Sequence, residues 1–200
     1  SGQDATDTSV LSTDHSGDIN ITAPNIVVES GALLDASVKN VGSATTYKAG
    51  DITLTAKDSS NWATFVALSD ANTSIDVAGT LKGKDITLLS NIESKALFGG
   101  VAASIQEKAV DLAMTYMASP LRLSLTYVQA KGDAKVNIQG TASIQASNDL
   151  SITAKADRYA GAQQQVGGSA LANLGAGFAQ LEGTTQIEVK SGASLSAGND

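Results

Sequence analysis

A four-residue phrase runs through this chain: Asp, apolar, any residue, apolar. It reads Asp18-Ile19-Asn20-Ile21, Asp51-Ile52-Thr53-Leu54, Asp85-Ile86-Thr87-Leu88 and Asp149-Leu150-Ser151-Ile152, and a fifth copy begins at Asp200. A second phrase places an apolar-x-apolar pair before a glycine turn and a further apolar residue. Its copies start at Ile26, Ile75, Val136 and Ile187, at intervals of 49, 61 and 51 residues. The last two copies keep step without a gap: Val136, Ile144 and Asp149 match Ile187, Leu195 and Asp200. Such self-similarity dictates the architecture before any single element does. One repeat cannot bury its own apolar face and must stack on the next.

The register extends upstream of the second phrase. Leu123, Leu125 and Tyr127 precede Leu174, Ala176 and Phe178 by 51 residues, and an offset of 61 brings Trp62, Thr64 and Val66 onto the same columns. Alternation with period two marks strands with one buried face. Ile75, Val77, Val136, Ile138, Ile187 and Val189 are predicted to point inward, because they alternate with Asp76, Asn137 and Glu188. The fold class expected is all-β, a parallel β-helix built from units of about 50 residues, with the segments between coils projecting as hairpins. A β-sandwich is the alternative. It accounts for the hairpin-like stretch from Gln165 to Ser169 but not for the aspartate register.

Residues 1–16 read as a polar lead-in and 17–200 as the repeat block. The block stops at the aspartate where another strand would start, so it is read as a piece of a longer array. The third unit is the odd one, with 64 residues from Asp85 to Asp149 against 51 from Asp149 to Asp200. Within it, Ser104 and Glu107 have capping-box spacing. Ile105, Ala109, Leu112, Ala113 and Tyr116 then follow on one helical face, and Pro120 closes the segment. A short helix near 105–118 is therefore expected as an insertion in the strand frame.

Composition removes several functions. There are no cysteines, which excludes disulfides and thiolate chemistry, and a single histidine, His15, which excludes a multi-histidine metal site. Thirteen Lys and Arg stand against 20 Asp and Glu, for a net charge of −7. That balance disfavours nucleic acid and anionic membranes as partners. The stretch from Val101 to Ala118 is interrupted by Glu107, Lys108 and Asp111, too soon for a membrane helix.

The strings SGASLSAGND (residues 191–200) and GTASIQASNDLSITA (residues 140–154) are similar to the haemagglutinin-type repeats of very large bacterial surface proteins. The resemblance is to filamentous-haemagglutinin-like exoproteins and related giant β-strand-repeat adhesins, and it spans nearly the whole chain. It implies a right-handed β-helix. It also implies export across both membranes of a Gram-negative cell with an outer-membrane secretion partner, as in two-partner secretion, an extracellular or cell-surface location, and a role in adhesion or biofilm. The interruptions after each Asp strand and the expected helix depart from the plain short repeat.

The candidate chemistry is thin. Asp18, Asp51, Asp85, Asp149 and Asp200 read as turn formers whose carboxylates bond nearby amides. A calcium ladder is the sharper alternative, but calcium needs six to eight converging oxygens. Lys131-Gly132-Asp133 resembles an integrin-type tripeptide and also suits a turn. Arg122 and Arg158, the only arginines, lie in no acidic cluster by sequence, as a polysaccharide lyase or hydrolase would want. Gly99-Gly100 and Gly167-Gly168 read as turns, since no Lys-Ser/Thr follows them. Trp62, Tyr127 and Phe178, taken as one column, read as core; facing solvent instead, they would form a strip on which sugar rings stack.

No catalytic, cofactor or metal residues are assigned. The chain reads as a structural shaft segment of a secreted adhesin or biofilm fibre, not an enzyme. The alternative is a module binding carbohydrate or host protein through the 90–131 excursion. The partners expected are exopolysaccharide or molecules of host and neighbouring cell surfaces.

Overall fold

The computed structural model describes residues 17–37, 49–62, 66–97, 121–162 and 172–198. Every element in them is a β-strand. The expected helix near 105–118 lies outside the described residues, as do His15, Gly99, Gly100, Gly167, Gly168 and Asp200. The strands are β1 (Ile19–Ala23), β2 (Asn25–Val28), β3 (Leu33–Asp35), β4 (Ile52–Trp62), β5 (Val66–Val77), β6 (Thr80–Gly83) and β7 (Ile86–Leu97). They continue with β8 (Leu121–Ile138), β9 (Ser143–Ala146), β10 (Leu150–Gly161), β11 (Ala172–Glu182), β12 (Thr185–Val189) and β13 (Ser194–Ser196).

The strands sort into three sheets, and every pairing is parallel. The first sheet runs β1-β4-β7-β10 and the third β3-β6-β9-β13. The second runs β2-β5-β8-β11, with β12 also on β8. The chain thus visits the three sheets in turn and then repeats the circuit one layer on, an arrangement compatible with a parallel β-helix. The register is the one spelled by the repeats. Ile19, Ile52, Ile86 and Leu150 form one column, Ile26, Ile75, Val136 and Ile187 a second, and Leu34, Leu81, Ile144 and Leu195 a third.

These columns meet inside. Ile52, Leu54, Ile75, Val77, Leu81, Ile86, Leu88, Val136, Ile138 and Ile144 are fully buried in one aliphatic cluster fed by all three sheets. Branched side chains suit the pleated faces, and each buried one contributes roughly 1.5–3 kcal/mol. Ile187 and Val189 keep the same register but are 46% and 49% exposed, because they lie in the last described layer. Asp76 and Asn137 alternate outward and bond each other, Asn137 Nδ2 donating to Asp76 Oδ1 at 2.7 Å.

Among the described residues the projecting segments do not pair as hairpins. β4, β5, β7, β8, β10 and β11 run well past the short strands of the third sheet, and each pairs with the layers above and below it rather than with its own return strand. Sheets one and two therefore continue as a two-sheet extension whose faces meet through small side chains. Ala67, Ala71, Ala96, Ala130 and Ala134 are buried there, in clusters separate from the main core. Hydroxyl pairs stitch the faces together: Ser69 Oγ to Ser94 Oγ at 2.9 Å and Thr73 Oγ1 to Ser90 Oγ at 2.8 Å.

Candidate functional site

The aspartate column is the most regular side-chain feature. The Asp51 N–H donates to Asp18 Oδ1 at 2.9 Å, the Asp85 N–H to Asp51 Oδ1 at 3.3 Å, and the Asp149 N–H to Asp85 Oδ1 at 3.1 Å. The amides reached are not local, as the sequence suggested, but lie one coil on, 33 to 64 residues away. The backbone answers in the opposite sense, with the N–H groups of Ile19, Ile52 and Ile86 donating to the carbonyls of Asp51, Asp85 and Asp149, each at 2.9 Å. The carboxylates of Asp18, Asp51 and Asp85 thus supply the acceptor for the amide that opens the next rung. Asp85 also accepts from Asn148 Nδ2 at 2.6 Å and Lys84 Nζ at 2.9 Å. Those donors, Lys84 first, hold its carboxyl below the ordinary aspartate value. The column serves amide hydrogens, one carboxylate per layer, rather than converging on a cation.

A second ladder lies where the extension joins the core. The Asn72 N–H donates to Asp58 Oδ2 at 2.9 Å, Asp133 N–H to Asn72 Oδ1 at 3.1 Å, and Thr184 N–H to Asp133 Oδ1 at 2.7 Å. Asp133, the last residue of the Lys131-Gly132-Asp133 tripeptide, is committed to this ladder and to Lys135 Nζ at 2.5 Å. Its carboxyl is lowered, first by Lys135 and then by the Thr184 amide. Gly132 and Gly183 stack in the preceding column. A Cβ on Gly183 would lie 1.9 Å from the Gly132 carbonyl oxygen, so only glycine fits this close approach.

Arg158 has a structural use. Its Nε and Nη2 donate to the Gly132 carbonyl at 2.9 and 2.7 Å, and Nη2 also reaches the Thr184 carbonyl at 3.0 Å. It bridges the two sheets at the layer position where Ser94 bonds Ser69 below it. At Arg122 the backbone pairs with Asn173.

The aromatic column needs correction. Tyr127 pairs with Phe178 but with Val66 in β5, while Trp62 sits at the end of β4 opposite Ala96 in the first sheet. None of the three is core. Phe178 and Trp62 are each 56% exposed, and Tyr127 is half-buried between the inward Thr126 and Val128. The physical reason is the width of the extension, whose opposed faces meet through Ala, Ser and Thr with Val128 and Ile92 between them, and leave no room for a ring. Around Tyr127 a polar chain crosses two layers. The Tyr127 hydroxyl donates to Gln180 Oε1 at 2.8 Å, Gln180 Nε2 donates to Glu182 Oε1, and Lys131 Nζ pairs with Glu182 Oε2 at 3.0 Å. The matched columns at an offset of 51 contained this set, but only the outward parity of β8 reveals that it faces solvent. The chain matches no protein-family model, no curated protein and no solved structure.

Proposed function

We propose that this chain is a shaft segment, a right-handed parallel β-helix, of a large secreted bacterial surface protein that mediates adhesion or builds a biofilm fibre. The observation that carries the reading is the coil-to-coil ladder. Asp18, Asp51, Asp85 and Asp149 repeat one contact through four layers, so each layer is a template for the next. A module of this kind adds length and stiffness in one direction, as a stalk requires. The right hand is what crossovers between parallel strands of one sheet adopt almost without exception. The cell-surface location and export through an outer-membrane partner rest on the haemagglutinin-type phrases at 140–154 and 191–200.

The test has two parts. Antibodies raised against the chain should label intact, unpermeabilised cells, and protease added outside should remove that label. Adding about twenty further coils to the gene should lengthen the surface fibre by about 100 Å in electron micrographs, at about 4.8 Å per coil, while leaving it exported. Labelling only after permeabilisation, or a fibre of unchanged length, would defeat the proposal.

A further inference from the structure

We infer that the outer face of the second sheet, centred on Tyr127 and Phe178, binds a neutral polysaccharide chain. This goes beyond the shaft reading and does not depend on it. The patch is built from two layers in register: Tyr127 with Phe178, and Gln129 with Gln180, while Leu68 extends the second row into β5. Leu68 is 53% exposed between its neighbours, and Phe178 is 56% exposed, pointing outward with Tyr127 and lying in the last described layer. The rows run along the stacking axis with a spacing of about 4.8 Å per strand.

Two properties narrow the occupant. First, the polar groups beside the rings are held in place. Tyr127, Gln180, Glu182 and Lys131 form one continuous hydrogen-bonded chain, so little side-chain freedom is left to lose on binding. A few fixed polar groups beside an apolar platform suit a ligand with flat apolar faces and hydroxyl-bearing edges, which describes a pyranose ring. Second, the local charge fits an uncharged partner. Lys131 lies between Asp70 and Glu182 in one column and is paired with Glu182, leaving a small negative excess on a chain of net charge −7. An acidic glycan would be repelled there.

The experiment is calorimetric titration of the whole chain with neutral hexasaccharides (cellohexaose, laminarihexaose and mannohexaose) and with hexagalacturonate. Sedimentation velocity and thermal melts accompany it. At least one neutral chain should bind and hexagalacturonate should not. Phe178→Ala should weaken binding about tenfold with an unchanged melt, the loss expected for one stacking ring, and Phe178→Tyr should retain it. The inference is overturned if no neutral chain binds, if Phe178→Ala binds as the parent does, or if only hexagalacturonate binds. It is also overturned if Phe178 governs concentration-dependent self-association instead, which would make the face a contact between copies of this chain.

Discussion

At the residue scale, the acceptor on each stacked aspartate matters more than its charge. Asp85→Ala removes the acceptor that the Asp149 amide uses and one of the two that the Asn148 side chain uses, and is expected to cost about 1–3 kcal/mol in urea unfolding. Asp85→Asn keeps an oxygen for the Asp149 amide and loses mainly the pair with Lys84, whose side chain is 50% exposed. An ion pair of that exposure contributes under about 1 kcal/mol, so the asparagine variant should be the milder. The charge shows instead in acid. Lys84 and Asn148 lower the Asp85 carboxyl, and Lys135 and the Thr184 amide lower that of Asp133, both from an ordinary value of 3.8. The unfolded chain therefore takes up these protons first as pH falls. The stability they contribute is complete above the ordinary value and is lost as pH drops through the lowered folded values. Melting temperatures read by circular dichroism should fall steeply below pH 3.8, and the double variant Asp85→Asn, Asp133→Asn should fall less steeply.

At the scale of the element, the two-sheet extension separates what the sequence displays from what it conceals. The columns of Ile75, Val136 and Leu81, Ile144 were legible because the same residue types recur on either side of the glycine turn, at offsets of 61 and 63, and stacking like on like preserves that signal. The inside of the extension was not legible in this way. Ala67, Ser69, Ala71 and Thr73 carry no apolar contrast with Leu68, Asp70 and Asn72, so periodicity alone does not say which set faces in. The offset of 61 aligns Val66, not Trp62, with Tyr127, as the pairing of β5 with β8 has it, so grouping Trp62 with Tyr127 followed ring type rather than register, and Trp62 belongs to a strand of another sheet. Size decided the outcome, with hydroxyls, methyls and the aliphatic Val128 and Ile92 inside and rings outside. The buried Ser69–Ser94 pair gives a direct check. Ser69→Ala strands the Ser94 hydroxyl and should cost about 1–3 kcal/mol, Ser94→Ala leaves Ser69 Oγ its bond to the Ser60 carbonyl and should cost less, and the double substitution should cost less than the two singles together. Additive losses in the double-mutant cycle would show that the hydroxyls do not depend on each other.

For the whole molecule, stability resides in the layers. Ile138 is fully buried where β8 lies between β5 and β12. Ile138→Asp should abolish the cooperative melt or lower it sharply, because an unpaired carboxylate in an aliphatic core costs several kcal/mol. The stacked aspartates meet across intervals of 33, 34 and 64 residues, yet each interval makes one rung. The rod is in effect a ruler graduated in turns, not in residues. Chain length can drift at the outer ends of the long strands while the rise per turn stays fixed by strand pairing. Doubling a flexible loop adds only about 0.6 kcal/mol of closure cost, so a glycine–serine insert of about ten residues between Trp62 and Val66, roughly two doublings of that connection, should lower stability by only about 1–1.5 kcal/mol. The same insert within β8, between Val136 and Ile138, should destroy the fold. Two such rods could therefore differ widely in residue count and still reach equally far.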